Sequence, residues 1–149
     1  MNAKLSCTIT CASLNYQRLD DAALANLKSA EMRGDSEFLK EFASALGFRV
    51  ESIALIQKCN AVIVVMTYND DLSQDFVRGR LFSTWDKYSH AGITNFARDI
   101  KFIYDAEALQ YLGECAMGVH SVTIGDSQVL SQVEEGLRNG YALAQNPLL

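Results

Sequence analysis

The strongest constraint on how this chain folds is a pair of strand patterns set almost end to end. From Phe48 to Lys58 apolar and polar residues alternate, with Ile53 and Leu55 directed inward, the period of two that a half-buried strand requires. The run Val62-Ile63-Val64-Val65-Met66, mostly β-branched, then continues without a polar break, as in a strand covered on both faces. Only Cys59, Asn60 and Ala61 lie between them. A link that short has no room for a crossover, so the two segments must pair as an antiparallel hairpin. Asparagine tolerates the left-handed backbone that such a turn needs.

The remaining elements are read outward from that hairpin. Residues 4–11 alternate, with Leu5, Cys7, Ile9 and Cys11 on one side, and predict a further strand. Asp20 to Ala30 has helical composition, with Leu24 and Leu27 on one face, and is broken by Gly34 and Asp35. A second helix is expected from Ser36 to Leu46, burying Phe38, Phe42 and Leu46 and stopping at Gly47. Asn69 or Asp70 should cap a long helix to about Tyr88, with Leu72, Phe76, Leu81 and Trp85 buried. A short strand, Lys101 to Tyr104, leads into a helix capped by Asp105 and running through Ala116. After the connector His120 to Gly125, Asp126 should cap the last helix. Its stripe of Leu130, Val133, Leu137 and Tyr141 is core or a docking face, and it ends before Pro147. The order predicts an α+β fold: a small, largely antiparallel sheet of ferredoxin-like βαββαβ character, packed against helices, with further helices at the C-terminus. No repeat or internal boundary is visible, so residues 1–149 are read as one domain.

Composition limits the function classes. The chain is 49% apolar with one proline, which describes a folded protein able to bury a core. No apolar run is long enough to span a bilayer, and Met1-Asn2-Ala3-Lys4 lacks the apolar core of a secretory signal; a cytoplasmic protein with no membrane contact is expected. A net charge of −5 argues that this chain is not the main anchor for a nucleic acid, whose phosphates select basic surfaces. Cysteines 7, 11, 59 and 115 form neither a disulfide framework nor a paired C-x-x-C metal spacing, and no bound metal is expected. Cys7 and Cys11, four apart in a strand, share one face. Glycines 113, 118, 125, 136 and 140 lie in or between helices rather than directly after a strand. No dinucleotide fingerprint is formed, and the chain is expected to bind no nicotinamide cofactor itself.

Cys59 carries the chemical interest. It stands where one strand ends and the next begins, after Lys58 and before Asn60. A thiol there can leave the core and meet a substrate, and a neighbouring cation favours the thiolate, the nucleophilic form. The alternative is a small apolar residue closing a strand, the commonest fate of free cysteine. The five residues from Ile56 to Asn60 leave both open.

The stretch from Tyr104 to Gln145 contains Ala108-Leu109, Ala116-Met117-Gly118, Ser121, Ile124-Gly125-Asp126, Gln128-Val129-Leu130, Gln132-Val133 and Tyr141-Ala142-Leu143-Ala144. In order and spacing it resembles the N-terminal catalytic domain of glutamyl-tRNA reductases, whose corresponding pattern is A-x-G-L-D-S-x-V-x-G-E-x-Q-I-L-G-Q-V-K. Cys59-Asn60 begins to match that family's C-N-R-T-E, and Leu14-Asn15-Tyr16-Gln17 stands where the family has an N-H-K-T-A-P-like segment. The resemblance implies that Cys59 is a nucleophile that attacks the ester of glutamyl-tRNA and forms a thioester. It implies that Asn60, Ser121, Gln128 and Arg18 contact the substrate. It further implies NADPH on a separate or missing domain, in cis or trans, and a place in tetrapyrrole (5-aminolevulinate) synthesis.

Departures from the family pattern bear on that expectation. Ala61, Val62 and Ile63 replace the family's Arg, Thr and Glu; Tyr16 takes its histidine position and Arg18 its threonine position. His120 replaces an aspartate and Asp126 a glutamate. Losing a guanidinium from a carboxylate site removes a charge-assisted hydrogen bond of about 1.5–3 kcal/mol; Arg18 is the cation that could replace it. His120 is either a base near the thiol or a connector residue. Ser121 and Gln128 have plain alternatives too, capping a turn and facing solvent. Two further functions stay open: a non-catalytic relative that binds or regulates a partner, and a thiol enzyme acting on a different acyl donor. Nothing in the sequence sets an oligomeric state.

Overall fold

The structure, a computed structural model, describes residues 7–15, 36–57, 61–69, 71–89, 100–117 and 127–142. Its strands are β1 (Cys7–Asn15), β2 (Val50–Gln57), β3 (Ala61–Asn69), β4 (Ile100–Tyr104) and β5 (Tyr141–Ala142). Its helices are α1 (Ser36–Ala45), α2 (Gln74–Ser89), α3 (Asp105–Ala116) and α4 (Ser127–Arg138). The strands form one sheet in the order β4-β1-β3-β2-β5, every neighbouring pair antiparallel. The α+β reading holds, and the first four strands keep the ferredoxin-like order.

The hairpin is built as its sequence requires. Gln57 pairs with Val62 and Ile56 with Ile63. Flanked by β1 and β2, β3 sends Val62, Val64, Met66 and Tyr68 into one core, while Ile63 and Val65 enter the other. The first core is roofed by α1 and α2 through Phe38, Leu39, Phe42, Val77, Leu81 and Trp85. In the second, Ala108 and Cys115 of α3 and Val133 of α4 pack on Cys11, Ala54, Ile56 and Ile103. Both faces of the sheet are therefore dry, and a polar group inside must find a partner. Thr10 Oγ1 does so with Tyr68 OH at 2.7 Å.

α1 follows its sequence signals closely: Phe38 and Phe42 are buried, and the chain turns at Gly47 with φ 81°. That left-handed backbone is the one glycine accepts without strain. Arg80 of α2 closes the same helix end, donating from Nε to Leu46 O at 2.6 Å and from Nη2 to Ala45 O at 3.1 Å.

Several expected boundaries move. The first strand runs Cys7–Asn15 rather than 4–11, because β1 pairs along its whole length with β3. Asn69 still belongs to the ladder opposite Cys7. α2 accordingly starts at Gln74, where Ser73 Oγ accepts the Phe76 N–H at 3.2 Å. The helix buries Val77, Leu81, Thr84 and Trp85, leaving Phe76 exposed. Asp105 does not cap α3; it opens the helix directly after β4 with φ 53°, and its Oδ1 accepts the Ile9 N–H at 3.4 Å. On α4 only Val133 of the expected stripe is buried; Leu130 and Leu137 are exposed, and Tyr141 belongs to β5. Asp70, the expected helix over Asp20–Ala30, the connector His120–Gly125 and Asp126 lie outside the described residues.

Candidate functional site

Strand register defines two unlike ends of the sheet. At one end Asn15 faces Ala61, Gln57 faces Val62 and Leu14 faces Ile100. At this end β1 and β2 finish and β3 and β4 begin. At the other end the links are 46–49, 70–73 and 139–140, with none between Tyr104 and Asp105. Long connections gathered at one end of a rigid sheet are the usual seat of binding and chemistry.

Helix directions reinforce this asymmetry. Asp105 bonds to Ile9, the Cys11 thiol donates to Ala108 O at 4.0 Å, and the Tyr111 and Ser13 hydroxyls pair at 2.9 Å. α3 therefore runs alongside β1, and its C-terminal end points toward the Asn15 end. α4 runs the opposite way. A Cβ on Gly140 would stand 2.8 Å from Ile53 O, and one on Gly136 2.7 Å from Leu55 O, so the helix backbone lies directly on β2. The nine residues from Gly136 back to Ser127 rise about 14 Å, whereas β2 has little further to run beyond Ile56. The first turn of α4 thus overhangs the end of β2, with the positive end of its dipole on that side.

All the predicted side chains belong to segments tethered here, but none is itself described. Cys59 and Asn60 fall in 58–60, Ser121 in 117–126 and Arg18 in 16–35; Gln128 lies in the first turn of α4, where only the backbone is described. What the structure gives is the frame on either side: Gln57, Ala61, Asn15 and the facing ends of α3 and α4.

The other cysteines have a different character. Cys11 and Cys115 form no disulfide and are fully buried. Burial, aided by the neighbouring Cys115, pushes the Cys11 thiol up from 9.0 to about 12. Tyr111, beside this pair, is likewise pushed up to about 12, by burial above all, with the Ser13 hydrogen bond opposing. Neither Cys11 nor Tyr111 is ionised near neutrality. Cys7, whose side chain is not described, opens β1 at the opposite end, opposite Asn69. Among the described residues no group of three or more His, Cys, Asp or Glu could hold a metal, and no helix is long and apolar enough to cross a membrane.

Sequence reasoning missed the Ser13–Tyr111 pair and the seating of α4 on β2. The first joins residues too far apart in sequence to be seen. The second had a signal in the four-residue spacing of Gly136 and Gly140 on one side of a helix.

The fold is an α+β domain of ferredoxin-like strand order, with helices packed on both faces of its sheet. Residues 13–146 match the family described as "Glutamyl-tRNAGlu reductase, N-terminal domain". The chain belongs to that family. It is 25% identical over 116 residues to a glutamyl-tRNA reductase of Methanospirillum hungatei, covering 78% of this chain and 23% of the relative. It is 26% identical over 95 residues to the chloroplastic glutamyl-tRNA reductase 2 of Cucumis sativus, covering 64% and 17%. The solved glutamyl-tRNA reductase of Methanopyrus kandleri superposes with a TM-score of 0.56 at 15% identity, over 88% of this chain and 27% of that one; this likeness shows the shared fold. The chain spans 17–27% of the length of these relatives.

Proposed function

We propose that this chain is the acyl-transfer part of a glutamyl-tRNA reductase: Cys59 takes the glutamyl group from glutamyl-tRNA and holds it as a thioester. In that step the thiolate sulfur attacks the ester carbonyl carbon and the bond to the tRNA hydroxyl oxygen breaks. The tRNA departs as the alcohol after taking up a proton. An ester is already activated, so the protein's task is to supply a thiolate and to stabilise the oxyanion. What supports this reading is that the described elements flanking those segments (the end of β1 at Asn15, Gln57 and Ala61 of the hairpin, and the facing ends of α3 and α4) share one end of the sheet. The overhanging N-terminus of α4 favours negative charge there, on the thiolate and then on the oxyanion. Cys11, held protonated by burial, is a poor rival nucleophile.

In this reading Asn60, Ser121 and Gln128 contact the acyl end of the tRNA, and Arg18 meets the glutamyl carboxylate. Reduction of the thioester, which would release the aldehyde precursor used in tetrapyrrole synthesis, belongs to a separate NADPH-binding domain in cis or trans.

One observation favours a second reading. Ala61, at the family's arginine position, is only 4% exposed and starts β3 beside Asn15, so the familiar carboxylate contact is missing and a different acyl donor becomes the alternative. Intact-mass analysis after mixing the protein with glutamyl-tRNA, without NADPH, separates the two. A glutamyl adduct that is absent in Cys59→Ser supports the proposal. An adduct unchanged in Cys59→Ser refutes it, and an adduct formed only with other aminoacyl-tRNAs or thioesters selects the alternative.

A further inference from the structure

Large apolar side chains on a protein surface are usually scattered singly. Here, among the described residues, Leu109, Met117, Leu130 and Leu137 are exposed on α3, at its C-terminal end, or on α4; Phe76 of α2 is the other exposed one. Leu130 and Leu137 are 45% and 49% exposed, and Leu109 is 57% exposed. Two turns apart, Leu130 and Leu137 share one flank of α4, with Glu134 between them. On α3, Leu109 shares a flank with Asp105, one turn earlier. The two helices pack on one another over the same face of the sheet.

The same two helices are acidic. α3 and α4 carry Asp105, Glu107, Glu114, Glu134 and Glu135 against Arg138 alone, a net −4 in a chain whose net charge is −5. Of these acids, Asp105, Glu107, Glu134 and Glu135 are exposed. Exposed leucines flanked by Asp105 on α3 and Glu134 on α4 set the chemistry of what can cover them.

We propose that the outer face of α3 and α4 is a docking surface for a basic amphipathic helix of another polypeptide. Its apolar stripe packs against Leu109, Leu130 and Leu137, and its lysines or arginines meet Asp105 and Glu134, which share flanks with those leucines. Antiparallel helices present ridges and a groove into which a third helix fits. A second copy of this chain is a poor occupant, because it would set one acidic face against another. A nucleic acid has the wrong sign. This surface lies on the helices rather than at the strand ends, so the inference is independent of the acyl-transfer reading.

The test is a titration of the isotopically labelled 149-residue chain, followed by amide shifts, with a helical peptide of about 18 residues built from Leu and Lys at helix-face spacing. A scrambled peptide of the same composition and a Leu/Glu counterpart serve as comparisons. The proposal expects micromolar binding of the Leu/Lys peptide, with shifts confined to α3 and α4. Leu130→Ser with Leu137→Ser should weaken it by on the order of tenfold without changing the melting curve. Glu134→Lys should shift preference toward the Leu/Glu peptide. Equal binding of the scrambled peptide, shifts centred elsewhere, or no binding at all would overturn it. So would a dimer in sedimentation that the two serine substitutions dissolve.

Discussion

Replacing Gly136 by alanine tests how closely α4 is seated on the sheet. The added Cβ would stand 2.7 Å from Leu55 O, 2.9 Å from Ile56 Cγ1 and 3.0 Å from Ile56 Cα. Two of these three obstacles are backbone, so no rotamer change relieves them and the helix must lift by several tenths of an ångström. In a helix interior alanine is better than glycine by about 1 kcal/mol. Overpacking a tight contact costs about 1–3 kcal/mol, and an immovable obstacle puts this case at the upper end. The net expectation is destabilisation by about 1–2 kcal/mol, a fall of roughly 2–8 °C in Tm for a chain of this size.

The same substitution at Gly79 of α2 and Gly113 of α3 is the control, because a Cβ there meets nothing within 4 Å. Those variants keep the propensity gain and should melt about 2–4 °C higher than the unsubstituted chain. Thermal melts followed by circular dichroism compare all three. If Gly136→Ala stabilises as the other two do, α4 does not rest on β2 and its first turn does not overhang the strand end. In the proposed reading Gly136→Ala also slows acylation of Cys59 at temperatures where the variant is fully folded, since lifting α4 moves its N-terminus.

Two further outcomes follow from the buried polar groups. Cys11 is pushed up to about 12 from 9.0, so the folded state holds a proton that the unfolded chain releases above pH 9. Its contribution to stability is complete below pH 9 and is lost as pH rises toward 12, at up to about 1.4 kcal/mol per pH unit; urea melts across that window should show a shallower decline in Cys11→Ala. Arg80→Ala removes two charge-assisted hydrogen bonds from the end of α1 and should cost about 1.5–3 kcal/mol in denaturant unfolding. An unchanged midpoint would mean that the carbonyls of Ala45 and Leu46 are satisfied without it.

The hairpin and its central strand were legible because a β-branched run beside a three-residue link admits one local solution. α1 was legible because Phe38, Phe42 and Gly47 agree on one helix and one stop. What escaped was set by distant partners. Asn69 reads as a helix cap, but its pairing with Cys7 keeps it in the ladder and passes the cap to Ser73. On α4 the sequence offers Leu130 and Leu137 as either core or a docking face. The structure instead turns Gly136 toward β2, because close backbone approach rather than side-chain size decides which flank lies down. Of the candidate site, the sequence revealed which segments carry polar and thiol groups. That those segments leave from one end of the sheet became visible only from the strand register.

The register also bears on how substrate is recognised in the proposed reading. Asn15 and Ala61 are paired, and Ala61 is closed off at the first position of β3. A guanidinium at that position would have to escape burial or find a counter-charge there; a methyl group needs neither. Recognition of a carboxylate is thereby pushed off the strands and onto the connections beyond them, where Arg18 follows Asn15 in the chain. Nucleophile and carboxylate contact, adjacent at the family's C-N-R, would then sit on separate segments joined to the same sheet end. In the proposed reading, separation of that kind would let acyl-donor preference change through residues 16–35 without altering β2 or β3, and Ala61 would be a change in specificity rather than a loss of chemistry.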